Sequence, residues 1–107
     1  MSTQIGVFEL LVLMAVAAGG DEAYGVSIRQ AVEAGRGREV SSGAVHTTLD
    51  RLERRGLVTS RTAGGPPSRG GRPRRYYRLT PPGEAAVRDN YGALSHLAGR
   101  LPVKVSS

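Results

Sequence analysis

The chain has 107 residues, 39% of them hydrophobic, with no cysteine and no tryptophan, a size that supports one small core and excludes a large multi-layer enzyme. Without cysteine there are no disulfides, no thiolate-ligated zinc and no thiolate nucleophile. Fifteen Lys and Arg against nine Asp and Glu give a net charge of +6, and the placement of that charge is more telling than its size.

Residues 51–78 hold nine arginines against one acid, Glu53, whereas the rest of the chain holds six bases and eight acids. A strongly basic segment on a slightly acidic body is the footprint of a nucleic-acid contact surface; a solvated arginine-rich face is the bland alternative.

Residues 5–18, IGVFELLVLMAVAA, are apolar nearly all round a helix, with Glu9 the only charge. Such a helix needs cover on every side, which predicts one shared with a partner subunit. The run stops at Gly19 and Gly20, short of the roughly 20 residues a membrane span needs. Met1–Gln4 carry no Lys or Arg of the kind that opens a signal peptide, so no membrane association and a cytoplasmic location are expected. Asp21 or Glu22 can cap a second helix from about Ala23 to Ala34, with Val26 or Tyr24, Ile28, Ala31 and Val32 inward. After a turn at Gly35–Arg38, Ser41 is a good N-cap for a third helix that ends at Gly56.

In the third helix Val45, Leu49 and Leu52 recur at spacings of four and three and define a core stripe. Gly43, Thr47, Asp50 and Arg54 then lie opposite it, flanked by His46 and Arg51. Leu57–Arg61 and Arg75–Thr80 read as antiparallel strands, and the alternation assigns Tyr77 and Leu79 to the core. The stretch between them, TAGGPPSRGGRPR, is too long and too rich in Gly and Pro for a tight turn, and is expected to be mobile without a partner. Its fragment Arg69-Gly70-Gly71-Arg72-Pro73-Arg74 resembles an AT-hook with one extra glycine; a flexible cationic loop touching phosphates is the other reading. Thr80 caps a last helix in which Val87, Tyr91, Leu94, Ala98 and Leu101 form a narrow seam suited to helix pairing.

Three short helices, a hairpin and a flanking helix describe a mainly α fold with a small β-hairpin: a winged helix-turn-helix with N- and C-terminal dimerisation helices. Residues 1–80 are expected to form the DNA-binding domain and residues 81–107 the dimerisation helix and tail. The expected partner is double-stranded DNA. The residues expected to meet it are Ser42, Gly43, His46, Thr47, Asp50, Arg51 and Arg54 on the third helix, with Arg61, Arg69, Arg72, Arg74 and Arg75 on the hairpin. Asp50 can accept from a cytosine amine or pair with Arg54 within the helix. Phe8, Leu11, Val12, Val87, Tyr91, Leu94, Ala98 and Leu101 are expected at the homodimer interface. No metal, cofactor or catalytic residue is predicted, because there is no Gly-x-Ser-x-Gly, no phosphate loop, and no second histidine at metal spacing from His46 or His96. A winged-helix module that binds nucleic acid without sequence preference, or that binds protein, is the alternative function.

Tyr24-Gly25, the stretch Ser42-Gly43-Ala44-Val45-His46-Thr47-Thr48-Leu49-Asp50-Arg51-Leu52-Glu53-Arg54-Arg55-Gly56-Leu57-Val58, then Arg75-Tyr76-Tyr77-Arg78-Leu79-Thr80 and Gly83, together resemble the PadR family of bacterial transcriptional regulators over roughly residues 5–100. The resemblance implies a homodimeric repressor, paired through its first and last helices, that binds a palindromic operator. It also implies a small-molecule effector between the subunits, where Phe8 and Tyr91 are the best-placed aromatics. His46 stands where that family usually has tyrosine, and the single helix after the hairpin places the chain with its short members. The penicillinase repressors share the pattern of the third helix.

Overall fold

A computed structural model describes residues 4–65, 70–71 and 73–102. Its elements run α1 (Val7–Ala18), a 3-10 turn (Gly20–Glu22), α2 (Gly25–Arg36), α3 (Ser42–Arg54), β1 (Val58–Ala63), β2 (Arg74–Leu79) and α4 (Pro81–Ala98). The expected mainly α winged helix-turn-helix is what forms.

Helix α1 lies at the centre, packed on α2, α3, α4 and β2. It buries Leu10, Val12, Leu13, Ala15 and Val16. Most of the cover that its all-round apolarity demanded therefore comes from its own chain. Val12, expected at a dimer interface, is 0% exposed and belongs to this core. Phe8 and Leu11 are half-buried against the core, while Val7 and Met14 remain on the surface.

Helix α2 begins two residues later than its sequence suggests. Asp21 and Glu22 sit in the 3-10 turn, and Tyr24 is the N-cap residue. The Ser27 hydroxyl accepts the Tyr24 N–H at 3.0 Å, a donor that the helix start leaves open, and donates at 3.0 Å to the Tyr24 carbonyl, which also accepts the Ile28 N–H. Val26 and Ala31 face outward, and only Ile28 and Val32 of α2 are buried.

Helix α3 starts as expected, with the Ser41 hydroxyl accepting the Ala44 N–H at 3.0 Å. At its other end Gly56 takes φ +76°, a region that costs a side chain but not glycine. Leu57 N–H then reaches the Leu52 carbonyl at 2.9 Å and Gly56 N–H the Glu53 carbonyl at 3.0 Å, a Schellman closure with the apolar Leu57–Leu52 pair buried beneath it. Leu57 thus closes the helix and does not open the strand. Thr48 joins Val45, Leu49 and Leu52 on the buried face.

The strands pair antiparallel, from Val58 opposite Leu79 to Ala63 opposite Arg74. Tyr77 is buried and Leu79 packs against the core, as the alternation predicts. Tyr77 N–H also reaches the Ala23 carbonyl at 2.8 Å, tying the hairpin to the segment before α2. Thr80 caps α4 by accepting the Gly83 N–H at 3.1 Å and donates to the Gly56 carbonyl at 2.6 Å. A Cβ at Gly83 would stand 2.0 Å from the Leu57 carbonyl oxygen, so only glycine lets α4 approach the end of α3 this closely.

Val87 packs against the core of its own chain. From Tyr91 to Arg100 every residue of α4 and its exit is exposed, including Tyr91, Leu94 and Ala98 of the expected seam; Leu101 beyond them is exposed too. Leu97, which the seam did not include, is 61% exposed.

Candidate nucleic-acid interface

Because Val45, Thr48, Leu49 and Leu52 fix the buried side of α3, the helical period leaves Gly43, Thr47, Asp50 and Arg54 facing outward, and all four are exposed. Gly43 has nothing within 4 Å of where a Cβ would stand. The strip is therefore small and polar at its start and cationic at its end, and among the described residues it has no ion pair: none joins Asp50 to Arg54. Among the described residues the side chain of Asp50 is left available as an acceptor.

Each flank of this strip is held by a carboxylate. On the α1 side, Glu9 lies 3.8 Å from Arg51 and 3.3 Å from Arg55. Arg51, expected to meet DNA, is thus drawn toward α1. On the hairpin side, Glu53 accepts from Arg75 Nη2 at 3.0 Å and from the Ser60 hydroxyl at 2.7 Å, while Arg75 Nε donates to Ser60 Oγ at 3.0 Å. The lone acid of the basic segment is the link between the helix and the hairpin. Sequence reading missed both tethers, because each joins residues that are distant along the chain.

Two further hairpin arginines rest on aromatic faces. Arg74 lies 3.9 Å from the Tyr24 ring centroid and Arg61 lies 4.8 Å from that of Tyr76. The two rings meet edge to face at 6.1 Å, giving a continuous stack from Arg74 through Tyr24 and Tyr76 to Arg61. A guanidinium over a ring keeps its in-plane donors available. Arg61 spends one on the Asp21 carbonyl at 2.9 Å, and Arg78 pairs with the Asp21 carboxylate at 3.5 Å. Arg69 and Arg72, with the AT-hook-like reading built on them, lie outside the described residues.

Between the start of α2, the start of α3 and β2 there is a cleft of about 190 Å³, bordered by Tyr24, Val26, Ser42, His46, Arg74 and Arg75. The structure thus gathers Ser42 and His46 with Arg74 and Arg75, all of them expected at the interface. Among the described residues no group of His, Asp and Glu could hold a metal, and no helix is long and apolar enough to cross a membrane.

The chain matches the transcriptional regulator PadR-like family over residues 12–89. It is 39% identical over 83 residues to Transcriptional regulator Rv3488 of Mycobacterium tuberculosis, covering 76% of this chain and 71% of that protein. Its fold is similar to that of a PadR-like transcription factor from Bacteroides fragilis, with a TM-score of 0.71 and 25% identity over 89% of this chain and 86% of the other. A PadR family transcriptional regulator from Eggerthella lenta matches with a TM-score of 0.65 and 27% identity over 84% and 76% of the two chains. The winged fold, the outward polar strip of α3 and these likenesses agree: the chain belongs to the PadR-like family of transcriptional regulators.

Proposed function

We propose that this chain is a homodimeric repressor that reads a palindromic operator, with α3 in the major groove and the hairpin alongside it. The observation that carries the reading is the outward strip of α3, where small and polar residues at the start let a backbone approach base edges and the arginines lie beside and beyond them. Ser42, Gly43, His46, Thr47 and Asp50 are assigned to the groove, and Arg54, Arg61, Arg74 and Arg75 to the phosphates. Residues 1–80 carry DNA binding and residues 81–107 carry dimerisation, in a cytoplasmic protein.

The partner for the second half of α4 is a second copy of the chain. Tyr91, Leu94, Ala98 and Leu101 offer it, and Leu97 extends it. Pairing two copies sets two recognition helices at a fixed spacing, which requires half-sites one helical turn apart, about 34–36 Å, or a multiple of that. A small-molecule effector is assigned to this interface beside Tyr91; Phe8, its other expected aromatic, lies under the Arg36 guanidinium at 5.6 Å.

Selection of bound fragments from random duplex, followed by titration of single-base variants, tests the reading. A repressor prefers its site by roughly 10³ or more over random duplex. Thr47→Ala is expected to change which bases are preferred, and Arg54→Ala to weaken all sequences alike. A base-preference profile for Thr47→Ala identical to wild type would remove the α3 strip from base reading.

A further inference from the structure

Glu9 is the one charge in the apolar run that becomes α1, and its side chain is only 15% exposed. Its Oε1 accepts the Gly6 N–H at 2.8 Å, in the first turn of α1, where the helix dipole favours a negative charge. Its Oε2 faces Nη1 of Arg55 at 3.3 Å and Nη1 of Arg51 at 3.8 Å. Arg55 is fixed a second time, donating from Nη2 to the Gln4 carbonyl at 2.6 Å. Arg51 and Arg55 are one helical turn apart, so they present the same flank of α3, and a single well-anchored carboxylate meets both.

We propose that Glu9 is a positioning residue that sets the sequence-independent part of DNA affinity, by acting as an internal counter-anion where a DNA phosphate would otherwise bind Arg51. The inference rests on the DNA-binding reading above. Attraction between guanidinium and phosphate is blind to sequence and releases counterions for every phosphate neutralised. An arginine already neutralised by a carboxylate on its own chain contributes little to that term. Glu9 is partly withdrawn from water, so salt screens its hold on the two cations less than it screens exposed pairs. Thr47 and Arg54 stand one turn before and after Arg51, and the ion pairs of Glu9 go to Arg51 and Arg55, not to Arg54. The result is a recognition helix whose α1 flank carries one net positive charge in place of two, so more of the contact with random duplex falls to Arg54 and the hairpin.

The test uses the full chain and random-sequence duplex, with affinity measured from low to moderate salt for wild type, Glu9→Gln, Arg51→Gln and the double variant. Glu9→Gln frees one arginine per protomer. At about 0.9 per phosphate contact it should steepen the log–log salt slope of a dimer by roughly one to two and tighten binding at low salt. Arg51→Gln alone should leave the slope as it is, and in the double variant it should return the slope to that of wild type. A folded Glu9→Gln protein, checked by circular dichroism, with a wild-type slope would overturn the proposal. So would a slope that Arg51→Gln makes shallower in the wild-type background by as much as in the Glu9→Gln background; if Glu9→Gln does not fold, a slope shallower than wild type for Arg51→Gln alone overturns it. A wild type that binds random duplex but prefers no sequence sinks the operator reading and leaves this comparison intact; one that binds no duplex removes both.

Discussion

Between Leu10 and Val16, α1 buries five residues in the core of its own chain, whereas α4 from Tyr91 onward buries none. In sequence both look like partner-seeking helices, the first apolar all round and the second apolar along one seam. The difference is one of position. Helix α1 is crossed by α2, α3, α4 and β2, so nearly every face finds cover, while the second half of α4 extends past the elements that hold its first half through Gly83, Ala86 and Val87. Apolarity alone states that cover is needed; it does not say whether the cover is the same chain or another.

Substitutions in the two helices should therefore fail in different ways. The largest effect is expected at Leu13, fully buried in α1. Leu13→Ala should lower the stability of the fold by about 2 to 5 kcal/mol, read as a shift of the urea midpoint at fixed protein concentration. Leu94→Asp, on exposed α4, should leave the fold of each protomer intact but place a charge in the proposed seam. A loss of roughly 3 kcal/mol there weakens self-association about a hundredfold. Sedimentation across a concentration series reads it, and a wild type that stays monomeric at micromolar concentration would refute the dimer.

The smallest effect is chemical. Tyr77, packed in the core built around α1, has its phenol pushed above the ordinary value of 10.0, chiefly by burial, with Asp50 and Glu53 adding to the rise and Arg75 opposing it. The folded chain thus keeps the neutral phenol where the unfolded chain ionises. The contribution is complete below about pH 10 and is lost as pH rises through the folded value. Tyr77→Phe should accordingly show a flatter loss of stability above pH 10 than wild type in chemical denaturation. Equal pH dependence in the two proteins would show that this phenol is not linked to folding.

Much of the fold was legible locally. The Ser41 and Thr80 caps, the stop at Gly56, the buried stripe of α3 and the inward Tyr77 all follow from residue type and period. Helix α2 was misplaced at its start because the cap there is an exchange between Tyr24 and Ser27, and a serine inside a helix gives no sign in sequence that it folds back on the residue three before it. Of the interface, the outward residues of α3 were legible for the same periodic reason, and the basic character of residues 51–78 was legible by counting.

What the sequence by itself determined is thus the set of elements, the buried side of α3 and the presence of a basic segment, because these depend on neighbours within about one helical turn. The tertiary structure decided where those charges go. Glu9 meets Arg51 and Arg55 from α1, Glu53 of α3 meets Arg75 of the hairpin, and Tyr24 and Tyr76 carry Arg74 and Arg61. Each of these is a contact between elements that helix packing or strand pairing brings together. Charge is a property of a residue, but its availability to a phosphate depends on which carboxylate or ring the fold sets beside it.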